Sequence, residues 1–298
     1  MPALIDLVGN TPLCDISHLI ARPGVTVLAK CEGANPASSV KDRAAKGMIL
    51  GAQKRGLLRP GMRLIEATSG NTGIALAMIA KAVGVEMHLV MPDTLTVERT
   101  QTMRAFGAKV HLVDGGMEGA RDHAAAQVAA TAGRPDAFLM LDQFRNPDNP
   151  LAHYQSTGPE IWRDTGGKVS HFVSAMGTTG TIMGVSRYLK EQSPAITIIG
   201  CQPTEGSSIP GIRRWPKAYL PTIFEPARVD RIVDIAQRDA ETTTRMLARE
   251  AGLFVGVSSG GAAWAALQLA GTITQGTVVF IACDRGDRYL SSEVFSRE

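Results

Sequence analysis

The chain has 298 residues, 44% hydrophobic and 20% charged, which excludes a disordered or fibrous protein. Lys plus Arg number 31 and Asp plus Glu 28, and the resulting net charge of +3 is too small to point to nucleic acid or to an anionic membrane surface. At about 150 residues per domain the length predicts about two domains, with enough chain to bury a core without disulfide or metal staples.

The opening Met1-Pro2-Ala3-Leu4-Ile5-Asp6 carries no basic and apolar leader, and the four cysteines (Cys14, Cys31, Cys201, Cys283) form no C-x-x-C pair. A cytoplasmic protein with reduced thiols is therefore expected. Short apolar runs then alternate with longer helical patterns. Strands are predicted at 25–31, 64–67, 87–91, 110–113, 138–141, 171–175, 196–201 and 277–283. Helices are predicted at 41–53, 71–83, 97–106, 118–131, 153–164, 179–190, 239–250 and 260–269. Residues 251–283 hold no charged residue but are broken by glycine and glutamine, so they predict a buried helix followed by a buried parallel strand rather than a membrane span.

This alternation predicts the α/β class, with two domains, each a mostly parallel twisted sheet flanked by helices. Turn clusters at Asn35-Pro36 and at Asn146-Pro147-Asp148-Asn149-Pro150 set the expected boundaries. A smaller domain is expected at 37–145, and a larger one at 1–36 plus 146–298. Ligands of such folds bind at the carboxyl ends of strands, often between domains.

Several motifs fall at strand ends. Gly177-Thr178-Thr179-Gly180-Thr181 follows a strand and opens a helix, so its backbone N–H groups and hydroxyls suit a phosphate, or equally an ordinary capped turn. It is neither a Walker A loop nor a G-x-G-x-x-G fingerprint. Thr68-Ser69-Gly70-Asn71-Thr72 occupies a similar turn and suits a carboxylate; alone it reads as an N-cap cluster. Lys41 lies at a helix start, where a cation opposes the dipole, although most such lysines are solvated. Gly256-Val257-Ser258-Ser259-Gly260 matches the G-x-S-x-G elbow, but all six histidines precede Ser258, so the order required of a serine hydrolase is absent. No metal-ligand spacing is present.

Taken together, Asn35-Pro36 with Ser39-Val40-Lys41-Asp42-Arg43, Thr68 to Gly73, Gly177 to Thr181 and Gly256 to Gly260 resemble the cysteine synthase family of fold-type II pyridoxal-phosphate enzymes. The opening Ile5 to Leu13 resembles that family's start, and the likeness runs in the same order over nearly the whole chain. Ser207 to Trp215 and Cys283 to Leu290 resemble the branch that accepts thiosulfate as well as sulfide.

The resemblance implies that Lys41 carries pyridoxal 5'-phosphate as a Schiff base in the cleft between the domains. Gly177, Thr178, Thr179, Gly180 and Thr181 are then expected to hold its phosphate, Asn71 its ring hydroxyl, and Ser258 to face its pyridine nitrogen. It further implies that Thr68, Ser69, Thr72 and Gln143 hold the substrate carboxylate, and that Arg213 meets the sulfonate of thiosulfate. O-acetylserine would lose acetate to leave an α-aminoacrylate, to which sulfide or thiosulfate adds. A homodimer is expected on the same ground. Open alternatives are a serine dehydratase, a cyanoalanine synthase, a catalytically silent binding protein of this fold, and a nucleotide-binding domain using the Gly177 turn. Ser38 stands where the family usually has glycine, which implies strain if that position needs a positive φ.

Overall fold

The computed structural model describes residues 3–68, 70–93 and 97–296. The chain divides into two compact units, one of Lys41–Asn149 with the chain up to Val8, the other of Gly9–Val40 with the chain from Pro150 onward. The sequence reading assigns residues 1–36 whole to the larger domain. In the structure the opening segment instead joins the smaller unit, where the 3-10 turn Leu4–Leu7 packs near the second helix and the Ile5 carbonyl accepts from Lys46 Nζ at 2.7 Å.

The larger unit is built on a six-stranded sheet. Its strands are β1 (Leu13–Asp15), β2 (Val25–Cys31), β7 (Val169–Ala175), β8 (Thr197–Pro203), β9 (Arg231–Ile235) and β10 (Gly276–Ala282), in the order β1-β2-β10-β7-β8-β9. Every pairing is parallel except β1 with β2. Alternate residues go to opposite faces. Val27, Ala29, Val173, Val278, Phe280 and Ala282 face a core completed by α8 (Gln237–Ala251) and α9 (Val257–Thr272). Phe172, Ile198, Val279 and Ile281 face a second core with α6 (Gly158–Asp164) and α7 (Gly180–Gln192). The uncharged stretch 251–283 is thus the buried α9 and the central strand β10, and no helix among the described residues is long and apolar enough to cross a membrane.

The smaller unit holds an all-parallel sheet of β3 (Arg63–Ala67), β4 (Met87–Pro92), β5 (Lys109–Val113) and β6 (Phe138–Met140), ordered β5-β4-β3-β6. Helix α1 (Lys41–Lys54) buries Ala44, Ala45, Met48, Ile49 and Ala52, a stripe at helical spacing, and packs on α2 (Asn71–Ala82). α3 (Val97–Ala105) follows β4, and α4 (Gly116–Ala130) covers Ile65, Ala67 and Val90 with Ala120 and Ala124.

Two strands and one break differ from expectation. β1 and β9 are short, largely exposed edges whose polar residues hide the strand pattern. The helix expected over 153–164 is α5 (Asp148–Ala152), a π-turn at His153–Thr157, and α6. Gly184 of α7 explains the break, because a Cβ there would come within 2.6 Å of His153 Cβ, and the π-turn is how the chain follows that close approach.

Both sheets reverse their strand order at one place. In the smaller sheet β4 and β5 lie to one side of β3 and β6 to the other; in the larger, β8 and β9 lie to one side of β7 and β10 to the other. Such reversals open a crevice at the strands' carboxyl ends. Thr68, residues 70–72 and residues 141–143 emerge at the first reversal, and residues 176–181 and 283–285 at the second.

Candidate active site

In the smaller unit, Lys41 is the first residue of α1, with Asp42 and Arg43 buried directly behind it. Thr68 directly follows β3, its N–H donating to the Val90 carbonyl at 3.0 Å. The chain then turns into α2 at Asn71, and Gly73 allows the turn to close: a Cβ there would meet Met103 Cε at 2.7 Å and Thr68 Cγ2 at 2.5 Å. Ser69 lies outside the described residues. The buried Thr72 hydroxyl donates to Gln143 Oε1 at 2.7 Å, so two residues 71 positions apart in sequence are joined. With its oxygen engaged, the Gln143 amide has Nε2 hydrogens to offer a carboxylate.

Gln143 is itself held by neighbours that the sequence reading leaves out. Its carbonyl accepts from Asn149 Nδ2 at 2.7 Å, and its N–H donates to Glu66 Oε1 at 3.4 Å. Glu66 Oε2 also accepts from the N–H groups of Leu141 (3.2 Å) and Asp142 (3.0 Å). Burial pushes the Glu66 carboxyl up to about 7, against the pull of these backbone donors. A glutamate inside an apolar strand, Leu64-Ile65-Glu66-Ala67, was the available signal.

In the larger unit the 176–181 turn is tied down at its base. The Met176 N–H donates to the Cys201 carbonyl, and the Met176 carbonyl accepts from the Arg213 N–H, both at 2.9 Å. The Trp215 indole N–H donates to the Gly177 carbonyl at 2.8 Å, which makes this tryptophan a cap on the turn rather than packing alone. A Cβ on Gly177 would stand 2.7 Å from the Gly211 carbonyl oxygen, so no side chain fits there. Gly211, at φ +86°, in turn approaches Ser258, whose Oγ lies 3.4 Å from where its Cβ would be. Gly177, Gly211 and Ser258 are therefore brought together. Ser258, nearly buried in the first turn of α9, presents a neutral hydroxyl there.

Behind the turn, His153 Nε2 lies 3.3 Å from Thr181 Oγ1 while its Nδ1 meets Thr157 Oγ1 at 2.9 Å. Nothing in the local sequence marks His153, because the π-turn that aims it depends on Gly184. Arg213 is exposed, with its guanidinium 5.6 Å from the Trp215 ring centre. Arg214 is engaged elsewhere, with Asp234 at 2.6 Å and the Pro203 carbonyl at 2.8 Å. Cys283 N–H donates to Ser259 Oγ at 2.8 Å, and its side chain packs on the second core.

Two observations fit a phosphate on the 177–181 turn. Thr179 Oγ1 is buried with no hydrogen-bond partner among the described residues. Thr179 also adopts φ +70°, a conformation a β-branched residue takes only where its surroundings enforce it, at the head of the 13-residue α7. A helix N-terminus with an unsatisfied donor beside it is the chemistry an anionic tail requires. Ser38, directly preceding the Ser39-Val40-Lys41 segment, has φ +59°.

Comparison with known proteins agrees with this reading. The family described as "Pyridoxal-phosphate dependent enzyme" matches residues 4–284. Cysteine synthase B of Pseudomonas aeruginosa is 58% identical over 99% of this chain and 97% of its own length. Cysteine synthase B of Escherichia coli is 57% identical over 100% of this chain and 97% of its own length. Among solved structures, the cysteine synthase of Entamoeba histolytica superposes with a TM-score of 0.94 at 37% identity, covering 100% of this chain and 91% of that one. With the fold, the phosphate-suited turn and the lysine-headed helix all in place, the chain belongs to the pyridoxal-phosphate dependent enzyme family.

Proposed function

We propose that this chain makes cysteine from O-acetylserine and sulfide, releasing acetate, as a β-replacement enzyme of cysteine biosynthesis. The observation that carries the reading is its near full-length likeness to the two bacterial cysteine synthase B chains. Pyridoxal phosphate, when bound, supplies the electron sink that lets Cα lose a proton and Cβ lose acetate.

The chain's own residues do the rest. The Lys41 amine would hold the cofactor, and its Nζ is the group that would take the proton from Cα. Gly177, Thr178, Thr179, Gly180 and Thr181 would hold the phosphate, and Asn71 the ring hydroxyl. Ser258 would face the pyridine nitrogen as a neutral partner, and a neutral partner would make the bound group a weaker sink than an aspartate would, favouring loss of a good β-leaving group. Thr68, Ser69, Thr72 and Gln143 hold the substrate carboxylate. The Cβ–O bond breaks with acetate as leaving group, and a Cβ–S bond forms with the incoming sulfur. Thiosulfate is a second donor, met by Arg213 and yielding S-sulfocysteine. The family resemblance supports a homodimer, and four thiols with no disulfide support a cytoplasmic location.

The test is to incubate the purified holoenzyme with O-acetylserine and sulfide, and separately with serine alone. Cysteine and acetate in equal amounts are expected from the first. Pyruvate from serine, without cysteine from O-acetylserine, would overturn the reading in favour of a dehydratase.

A further inference from the structure

We propose that Glu66 is a positioning residue for substrate binding, its carboxylate holding the Leu141–Gln143 turn so that the Gln143 amide sits beside Thr72. This rests on the function proposed above, in which Gln143 receives the substrate carboxylate.

The geometry of the turn carries the inference. Three consecutive N–H groups, those of Leu141, Asp142 and Gln143, all donate to one side chain. They follow β6 immediately, at the reversal point of the smaller sheet. Asp142 adopts φ +53°, so this turn is held in a conformation that a non-glycine residue does not choose unaided. Both backbone polar groups of Gln143 are bound by side chains, its N–H by Glu66 and its carbonyl by Asn149. With the backbone fixed at both ends, only the side-chain torsions remain, and Thr72 restrains the amide oxygen. A role limited to filling the strand interior would be met by an apolar residue, as at the neighbouring Leu64, Ile65 and Ala67. An ionisable group is placed here because one carboxylate can accept from several backbone donors at once.

A double-mutant cycle on the holoenzyme tests this. Glu66→Gln keeps the size but replaces one acceptor oxygen with an NH2 group. The Kd of L-serine, a substrate analogue lacking the acetyl group, is measured by calorimetry, alongside KM for O-acetylserine and for sulfide. Glu66→Gln is expected to raise the serine Kd and the O-acetylserine KM about tenfold, leaving kcat and the sulfide KM within about twofold. In a Gln143→Ala background the same change is expected to add less than about twofold, because its effect passes through Gln143. Full additivity would overturn the proposal.

Should Glu66→Gln fail to fold, Glu66→Asp, which keeps the charge one methylene short, takes its place in the cycle. Failure of both to fold would assign Glu66 to the scaffold and overturn the proposal. A wild-type enzyme that binds serine but makes no cysteine would overturn the function alone, since the calorimetric cycle judges Glu66 separately.

Discussion

Thr72 and Gln143 meet through a 2.7 Å hydrogen bond in which the threonine hydroxyl donates to the amide oxygen. The bond joins the first turn of α2 to the turn after β6, across the point where the smaller sheet reverses its order. With the oxygen engaged, the amide is left its Nε2 hydrogens to donate.

Gln143→Ala is expected to raise the KM for O-acetylserine about tenfold or more, with a smaller effect on kcat. Thr72→Val is expected to move KM in the same direction, since the amide loses its restraint. Steady-state kinetics with sulfide held saturating checks both; a KM unchanged in Gln143→Ala would remove that residue from the substrate site.

Ser258 offers a neutral hydroxyl beside Gly211. Replacing it with aspartate places a carboxylate that would keep a proton on the pyridine nitrogen. The expected outcome for Ser258→Asp is a higher ratio of transamination product to cysteine formed from O-acetylserine. Product analysis decides it, and an unchanged ratio counts against the account of why the reaction stops at replacement.

Arg213 is exposed, with its guanidinium 5.6 Å from the Trp215 ring centre. Guanidinium can engage two oxygens of an oxyanion at once. Arg213→Gln is accordingly expected to lower kcat/KM for thiosulfate about tenfold more than that for sulfide. Equal losses with both donors would mean that Arg213 does not read the sulfonate.

At Ser38, φ +59° is strained for any residue with a Cβ. Ser38→Gly is expected to stabilise the fold by about 1 kcal/mol, a Tm rise of about 1–4 °C. Calorimetric melting of the two proteins checks it; a lower Tm would show that the hydroxyl contributes more than the strain takes away.

Glu66 is pushed from its ordinary value of 4.5 up to about 7 by burial. Between those values the folded protein binds more protons at this site than the unfolded chain does, so its contribution is fully present below pH 4.5 and is lost as pH rises through about 7. The stability of the wild type relative to Glu66→Gln is expected to fall by up to about 3 kcal/mol over that range. Denaturant unfolding at pH 4.5 and pH 8 measures it, and a pH-independent difference would contradict the shift.

Much of the architecture was legible because parallel strands buried on both faces are nearly continuous apolar runs. β2 and β10 are read within a residue of their ends for that reason. The edges β1 and β9 carry no such run and were invisible. The motif residues at strand ends were legible by type and order, and Ser38 was flagged by the glycine it replaces. Glu66, His153 and Trp215 were not, because each acts on a turn distant in sequence. Glu66 reaches residues 141–143, His153 is aimed by a close approach at Gly184, and Trp215 closes on Gly177. Those relations exist only once the sheets are assembled.

β10 lies between β2 and β7, yet it is the last strand of its sheet in chain order. During synthesis the sheet's middle is therefore vacant until the β10 segment, which follows every other strand of the sheet, has left the ribosome. Until then β2 and β7 each keep an uncovered row of backbone donors and acceptors, the surface on which chains aggregate and chaperones act. A nascent chain stalled ahead of Gly276 would consequently be a client for chaperones and proteases, and not a slower version of the finished enzyme.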